Sequence, residues 1–175
     1  MNACLNDISP VGMRDAALLA LLRGCGLRRN EAVSLDLSDF ELGTGALKVR
    51  NGKGGVDRTV YVPDGLHPVL QAWLNIRGFS PGPLLCHIRK GGRVVHRRLT
   101  PQAVLYLLNK RAREADIAPF SPHDFRRTFV SELLDAGIDM ATVQKLAGHQ
   151  DTATTARYDM RGEETKRRAV QVLDI

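Results

Sequence analysis

The chain has few cysteines, only three tyrosines and no long apolar run. Its three cysteines, Cys4, Cys25 and Cys86, are odd in number and far apart, so they form neither a disulfide framework nor the spacing of a metal site. The longest apolar stretch, Ala16–Leu22, is far too short to cross a bilayer. The opening residues, MNACLNDISP, contain no basic segment leading into an apolar one, as a secretion signal would. These absences favour a reducing, cytoplasmic location and predict no membrane partner.

The sequence also lacks internal repeats, low-complexity tracts, a Walker-type phosphate loop and a carboxylate cluster suited to metal binding. A length of 175 residues, with 43% hydrophobic and 25% charged residues, is ordinary for one globular domain with a substantial core. We therefore predict a single domain over residues 1–175 that uses no metal, ATP or other cofactor.

Basic residues are what the chain has in excess. It contains 25 lysines and arginines against 19 acidic residues, which gives a net charge of +6 and a pI near 9.6. This balance suits a polyanionic partner such as a nucleic acid. Many basic proteins bind no such partner, so charge alone does not decide the function.

Capping signals predict a series of helices. A capping residue precedes proline at Thr100-Pro101 and at Ser121-Pro122, and Asp124 completes a capping box at the second site. Gly148 is placed to end a helix. Together with the apolar spacing, these signals predict helices over about 13–24, 29–35, 67–77, 101–115, 122–137, 140–147, 155–158 and 163–172.

Strand signals are confined to the middle of the chain. Short β-branched runs flank an Asn-Gly turn signal between Ala46 and Val62 and predict a hairpin that ends before Pro63. The glycine- and proline-rich segment 78–99 predicts a loop with at most one more short strand. The fold class is therefore predicted to be α+β: a mostly helical single domain with a small antiparallel sheet.

Arginine and histidine recur in two short segments. Arg28 lies in GCGLRRNEAVSL, where Glu31 is well placed to orient an arginine. His123 and Arg126 lie at i and i+3 in SPHDFRRTF, on one face of the first turns of a helix. Guanidinium groups fit phosphate oxygens, and a helix start favours an anion nearby. Taken singly, each segment is better explained by surface ion pairs and a solvated histidine.

A third segment, LAGHQDTATTARYD, contributes His149 and Tyr158. Histidine can carry protons near neutral pH, and tyrosine can hold a phosphoryl group covalently. The other tyrosines, Tyr61 in a predicted strand and Tyr106 in an apolar helix, are predicted to be core residues. Tyr158 has polar neighbours that suit a reactive phenol, although an ordinary surface tyrosine explains this segment equally well.

Lys53 lies between glycines at the predicted tip of the hairpin, in NGKGG. These glycines let the backbone approach a ligand closely. A lysine there could donate a proton to a departing oxygen if nearby arginines lowered its pKa. Taken alone, Lys53 is more simply a solvated turn residue.

The chain resembles the catalytic domain of the tyrosine recombinases, the phage-integrase family, because it contains in this order the motifs GLRRNEA, GKG, HDFRRTF and LAGHQDTATTARY. The resemblance extends from about Met13 to Tyr158. It implies that Tyr158 is a nucleophile that forms a 3′-phosphotyrosyl intermediate, and that Arg28 and Arg126 clamp the scissile phosphate. Fixed cations are the main requirement of such a step, because negative charge spreads over the phosphate oxygens as it proceeds.

The resemblance also implies roles in proton transfer. Lys53 would be the general acid for the 5′-hydroxyl leaving group, His123 would assist proton transfer at the tyrosine, and His149 would hydrogen-bond the phosphate. Glu31 matches the family's supporting acidic residue. Val56 stands where the family often has a second basic residue, which leaves Lys53 as the candidate acid.

The function implied is a site-specific recombinase or integrase that cleaves and rejoins double-stranded DNA. Family members act as homo-oligomeric tetramers on DNA, and this chain could be a monomer when free. The family's N-terminal DNA-clamping domain has no counterpart in this sequence, so we expect a fragment or a reduced member. The basic segment 88–98, IRKGGRVVHRR, is expected either to contact DNA phosphates or to be a solvated loop.

Two alternatives remain open. A type IB topoisomerase uses the same phosphotyrosyl chemistry without strand exchange, but a lysine usually replaces His123 in that family. A DNA-binding regulator without catalysis would have no need to retain Tyr158 together with both arginines.

Overall fold

The computed structural model describes residues 4, 6–50, 57–149, 151–158, 167 and 170–171. Most of these residues are helical, as predicted. Short 3₁₀ turns at Leu37–Asp39 and Asp64–Leu66 join some of the longer elements. The α-helices are α1 Pro10–Gly24, α2 Arg29–Ser34, α3 His67–Arg77, α4 Pro101–Glu114, α5 Pro122–Asp135, α6 Met140–Ala147 and α7 Thr152–Ala156.

Side-chain caps start these helices where the sequence predicts them. Thr100 accepts a hydrogen bond from the Ala103 amide (3.1 Å) at the start of α4. Ser121 and Asp124 form the predicted capping box of α5. Each cap satisfies amide groups that lack a partner within the helix, which explains why the predicted starts are confirmed.

The strands are β1 Phe40–Glu41, β2 Ala46–Val49, β3 Arg58–Tyr61, β4 Cys86–Ile88 and β5 Val94–Arg98, and they form two small antiparallel sheets. The first has the order β1-β2-β3 and pairs Leu47 with Val60. The second is a hairpin of β4 and β5, where a single strand at most was predicted. The hairpin forms because Gly91 and Gly92 both adopt positive φ and close the turn between two β-branched strands.

The main core surrounds α1, whose residues 16–22 are all buried. Trp73 of α3 is fully buried and donates to the Leu84 carbonyl (2.8 Å), which joins the helical layer to the segment before β4. A smaller cluster, which we call the C-terminal core, contains Phe129, Val130, Leu134, Val143 and Ala147. This second cluster brings α5 and α6 together and supports the residues described below.

A buried ionic network joins α1 to α4. Asp15 accepts from Arg14 Nε (2.7 Å) and from Arg111 Nε (2.8 Å), and all three side chains are almost fully buried. Arg111 also donates to Asp7 (2.9 Å), and the neighbouring carboxylates raise its pKa above the ordinary value, although burial opposes this. Removing one member would leave a buried charge without its partner.

Three further local predictions were wrong. Tyr61 and Tyr106, expected in the core, are 59% and 64% exposed. Alternation in β3 turns Val60 inward and its neighbour Tyr61 outward, while α4 buries the face opposite Tyr106. Helix α7 begins at Thr152 rather than at 155, because Asp151 caps it by accepting from the Ala153 amide.

Some predictions lie outside the described residues. These are Lys53, the tip of the first hairpin and most of the helix predicted over about 163–172. Among the helices described, none is long and apolar enough to cross a membrane.

Candidate active site

Arg28 lies immediately before α2, where the chain turns sharply. Gly26 has a φ of +58°, and a Cβ there would lie 2.3 Å from the Phe129 ring, so glycine is required for this turn. Glu31 accepts from both the backbone amide and Nη1 of Arg28, each at 2.8 Å. Arg28 Nη2 donates to the Gly148 carbonyl (3.0 Å). The guanidinium is therefore held from two sides while part of it stays exposed.

Arg126 lies on the second turn of α5 and is only 4% exposed. It donates from Nη1 to the Gly26 carbonyl (2.8 Å) and from Nη2 to the Ala147 carbonyl. Burial, with the charges of Arg28 and Arg58 nearby, lowers its pKa to about 10. It is still charged at neutral pH, and a buried cation beside other cations strongly favours an anion in the space they share.

Arg58 was not identified from the sequence. It forms two bonds to Glu31, Nη1 to Oε1 and Nη2 to Oε2, both at 2.9 Å, and donates from Nε to the Leu146 carbonyl (3.0 Å). The available signal was strand alternation, which puts Arg58 on the same face as the buried Val60. An arginine on the inward face of a strand needs a buried partner.

The end of α6 is held by three different arginines. The consecutive carbonyl groups of residues 146, 147 and 148 accept from Arg58, Arg126 and Arg28 respectively. These carbonyls belong to the last turn of a helix and have no intrahelical partner. Cations are also favourable at the negative end of the helix. The same three arginines therefore define the position of the residue that follows, His149.

Glu31 balances this positive charge. Burial disfavours its ionised form, but hydrogen bonds and charge from Arg58, together with hydrogen bonds from Arg28, lower its pKa to about 2. The carboxylate is therefore ionised throughout the physiological range. The supporting role predicted for Glu31 toward Arg28 stays a prediction, with Arg58 now as a second arginine bound to it.

His149 is presented by a left-handed turn. Gly148 has a φ of +62°, and a Cβ there would lie 2.9 Å from the Arg58 guanidinium. The His149 amide donates to the Gln144 carbonyl (3.1 Å), closing the end of α6. On the ring, Nδ1 is 2.8 Å from the hydroxyl of Thr155, a residue that the sequence analysis did not single out.

The His149 ring is uncharged at neutral pH. Burial lowers its pKa to about 4, and the charges of Arg126, Arg28 and Arg58 lower it in the same direction. A neutral imidazole has one N–H donor and one acceptor nitrogen. His149 can therefore offer a single hydrogen bond to a bound oxygen, without adding a further cation.

Tyr158 lies against both histidines. Its ring stacks on His149 with centroids 6.2 Å apart and planes at 29°, and it packs on the C-terminal core. Its Oη is 3.5 Å from His123 Nε2, at the outer limit of a hydrogen bond. Tyr158 is also close enough to Arg126 for charges on the two side chains to interact.

Arg28, His123 and Arg126 line one cleft of about 270 Å³. The start of α5 forms one wall with Ser121, Pro122 and His123, and Arg28 and Arg29 form another. Helix-terminal amides and arginines on the same cavity suit a phosphate group. Of the predicted site residues, the structure brings together Arg28, His123, Arg126, His149 and Tyr158, and Lys53 lies outside the described residues. Within the described part of the chain, no cluster of three or more His, Cys, Asp or Glu residues could hold a metal ion.

The sequence is similar to known recombinases. The tyrosine recombinase XerA of Thermococcus kodakarensis is 34% identical over 154 residues, which cover 88% of this chain and 53% of that protein. The tyrosine recombinase XerC of Pseudomonas aeruginosa is 38% identical over 153 residues, which cover 85% of this chain and 48% of that protein. The chain thus spans about half the length of the curated relatives it matches.

Solved structures show the same fold. The crystal structure of XerA recombinase matches 98% of this chain and 63% of its own chain, with a TM-score of 0.73 at 23% identity. The XerH site-specific recombinase, solved bound to a palindromic difH substrate, matches with a TM-score of 0.71 at 22% identity, over 98% of this chain and 50% of its own. Residues 1–164 match the phage integrase family as a whole. With its relatives among the tyrosine recombinases, this chain belongs to the phage integrase family.

Proposed function

We propose that this chain is the catalytic part of a site-specific DNA recombinase that cleaves and rejoins strands through a 3′-phosphotyrosyl intermediate. One observation carries the proposal: the Tyr158 hydroxyl lies 3.5 Å from His123, and His123 lines one cleft together with Arg28 and Arg126. A phenol, a proton acceptor and two guanidinium groups around one cavity are the parts that attack on a phosphodiester requires. The similarity to recombinases named XerA and XerC supports the proposal.

Arg28 and Arg126 bind the non-bridging oxygens of the scissile phosphate. Each guanidinium carries five N–H donors, and the bonds described above use two on each. The remaining donors can meet the phosphate in a geometry that the carbonyl bonds already hold in place. Because the groups are positioned before the substrate binds, they stabilise developing negative charge with little rearrangement.

Cleavage then proceeds by one displacement at phosphorus. Tyr158 Oη forms a bond to phosphorus, its proton passes to His123, and the bond from phosphorus to O5′ breaks. The departing O5′ takes a proton from Lys53, a role that rests on the family resemblance alone. His149, neutral and beside the phenol, donates a hydrogen bond to a phosphate oxygen.

Rejoining reverses these steps with a 5′-hydroxyl as the attacking group. The phosphotyrosyl bond conserves the free energy of the broken phosphodiester, so no ATP is needed. The two guanidinium groups provide the positive charge that divalent metals provide in many nucleases, so we propose a metal-independent reaction.

The partner is double-stranded DNA, on which we propose a homo-oligomer, by resemblance a tetramer. The β4–β5 hairpin, which we call the basic hairpin (residues 86–98), supports DNA binding. Its side chains at Arg89, Lys90, Arg93 and Arg97 are exposed, and its turn contains no acidic residue. Exposed basic side chains of this kind contact backbone phosphates without reading sequence.

Covalent trapping tests the proposal. The protein is incubated with nicked duplexes of randomised sequence, in which the short cleaved fragment diffuses away, and adducts are recovered in detergent and sequenced. We expect adducts with the native chain and none with Tyr158→Phe, because the phenylalanine has no nucleophilic oxygen. Tyr61→Phe is the matched control, since this exposed tyrosine lies in β3, and trapping should persist.

Other outcomes identify other functions. Normal trapping by Tyr158→Phe would refute the proposal. Adducts without sequence preference, together with relaxation of supercoiled plasmid, would indicate a type IB topoisomerase. Salt-dependent DNA binding with no adduct on any duplex would indicate a regulator without catalysis.

A further inference from the structure

We propose that Thr155 is a positioning residue that fixes the tautomer of His149, keeping its proton on Nε2 so that this atom donates to the substrate phosphate. The inference rests on the proposed function for the identity of the phosphate, while the tautomer itself can be measured without DNA. No role for Thr155 follows from the site residues described above.

The contact between the two side chains is short and enclosed. Thr155 is fully buried on α7, and its Oγ1 lies 2.8 Å from His149 Nδ1. Among the described residues, His149 Nδ1 is the only hydrogen-bond partner of this hydroxyl. A buried hydroxyl whose proton has no acceptor is strongly disfavoured, since water cannot replace the missing bond. The hydroxyl proton therefore points at Nδ1, which must be the unprotonated nitrogen.

The protonation of the other nitrogen then follows. The His149 ring is neutral at physiological pH, because burial and the surrounding arginines lower its pKa to about 4. A neutral imidazole with an unprotonated Nδ1 has its single proton on Nε2. In the opposite tautomer Nε2 would present a lone pair, which repels a phosphate oxygen. The direction of one hydrogen bond thus decides whether His149 assists or opposes phosphate binding.

The helix that carries Thr155 also positions Tyr158. The Tyr158 amide donates to the Thr155 carbonyl (3.0 Å), and the Tyr158 ring stacks on His149. Thr155 therefore holds the histidine ring from α7, while the three arginines hold the backbone of the three residues that precede His149. The sequence signal was the three-residue interval between Thr155 and Tyr158, which lets a residue of α7 and one in the turn after it contact the same neighbour.

The test compares Thr155→Val with Thr155→Ser. Valine keeps the shape but removes the hydroxyl, and serine restores it. Thr154→Val is the control, because it makes the same change one residue earlier on the same helix, at a site that is not fully buried. Nitrogen NMR of labelled His149 in the DNA-free protein reports the tautomer, and the rate of adduct formation reports catalysis.

We expect the native chain, Thr155→Ser and Thr154→Val to show a protonated Nε2 and an unprotonated Nδ1. Thr155→Val should show a mixture of tautomers and form adducts about tenfold more slowly, with its fold unchanged by circular dichroism. A native ring protonated on Nδ1 would overturn the inference, as would a Thr155→Val protein with native tautomer and native rate. If Thr155→Val unfolds, the native spectrum and the serine variant still decide the tautomer. If neither the native chain nor any variant formed adducts, the proposed function would be refuted. The NMR result on the tautomer would still decide the inference.

Discussion

Glu31 is a buried carboxylate whose two oxygens bind Arg28 and Arg58. Without it, guanidinium groups would face one another across a poorly solvated space, and their repulsion would open the cleft. With it, the group retains a net positive charge that a phosphate can neutralise. This is a physical reason for an acidic residue in a site that we propose binds a phosphate.

The ionisation of Glu31 makes stability depend on pH. Its pKa is about 2 in the folded chain against an ordinary value of 4.5, so folding favours the ionised form. The stabilisation is complete above about pH 4.5 and is lost as the pH falls toward 2, by roughly 3 kcal/mol in all. We expect Glu31→Gln to lower the free energy of unfolding at pH 7 and to flatten its decline between pH 5 and 2.

Urea unfolding at a series of pH values measures this effect. Asp135→Asn is the control, because this exposed carboxylate at the end of α5 should leave the acid limb unchanged. If the free energy of unfolding declined as steeply between pH 5 and 2 in Glu31→Gln as in the native chain, other carboxylates would account for that decline.

At the scale of elements, Arg58 connects β3 to the end of α6. Its Nε bond reaches Leu146, 88 residues away in sequence, and its Nη bonds reach Glu31, 27 residues away. The Arg58 side chain therefore joins β3, α2 and α6. Geometry of this kind needs the planar fork of arginine.

We expect Arg58→Lys to lower the free energy of unfolding by about 2 kcal/mol, because a lysine amine cannot make all three bonds at once. Adduct formation at saturating DNA should fall further than DNA affinity, since the segment that positions His149 loosens. Urea unfolding and adduct rates measure the two effects. Arg113→Lys, an exposed change at the end of α4, is the control for stability. Native stability in Arg58→Lys would contradict this account of the connection.

At the scale of the whole molecule, the net charge of +6 favours a polyanion, and part of it is displayed on the basic hairpin. Arg98 at its base donates to the Val33 and Leu35 carbonyls and pairs with Asp36 (2.5 Å). The hairpin is therefore tied to the end of α2, the helix that begins beside Arg28. DNA bound at the hairpin would thus contact an element joined directly to the cleft.

Alanine at Arg89, Lys90 and Arg93 together should weaken duplex binding and reduce the slope of log affinity against log salt. Each lost phosphate contact is expected to lower that slope by about 0.9. Arg89→Lys with Arg93→Lys keeps the charge and should keep the slope. Binding isotherms at several salt concentrations measure it. An unchanged slope in the alanine variant would mean that the hairpin is a solvated loop.

Much of the secondary structure could be predicted because it depends on neighbouring residues. Thr100 and Ser121 start their helices through bonds to amides three residues away, and Gly148 ends α6 through its own backbone angles. Such interactions depend only on residues that are close together in the sequence. The sequence predicted at most one strand where the basic hairpin has two. Glycine-rich turns and loops have similar composition, and only strand pairing distinguishes them.

The sequence by itself determined the order and type of the reactive residues, and from them the family. Only the tertiary structure decided that Tyr61 and Tyr106 are exposed, that Arg58 joins Glu31 to α6, and that Thr155 meets His149. The physical reason is the distance along the sequence over which each kind of interaction acts. Caps and turns act over a few residues, whereas burial and the partners of a charged or hydroxyl group are set by segments that become neighbours only when the chain has folded.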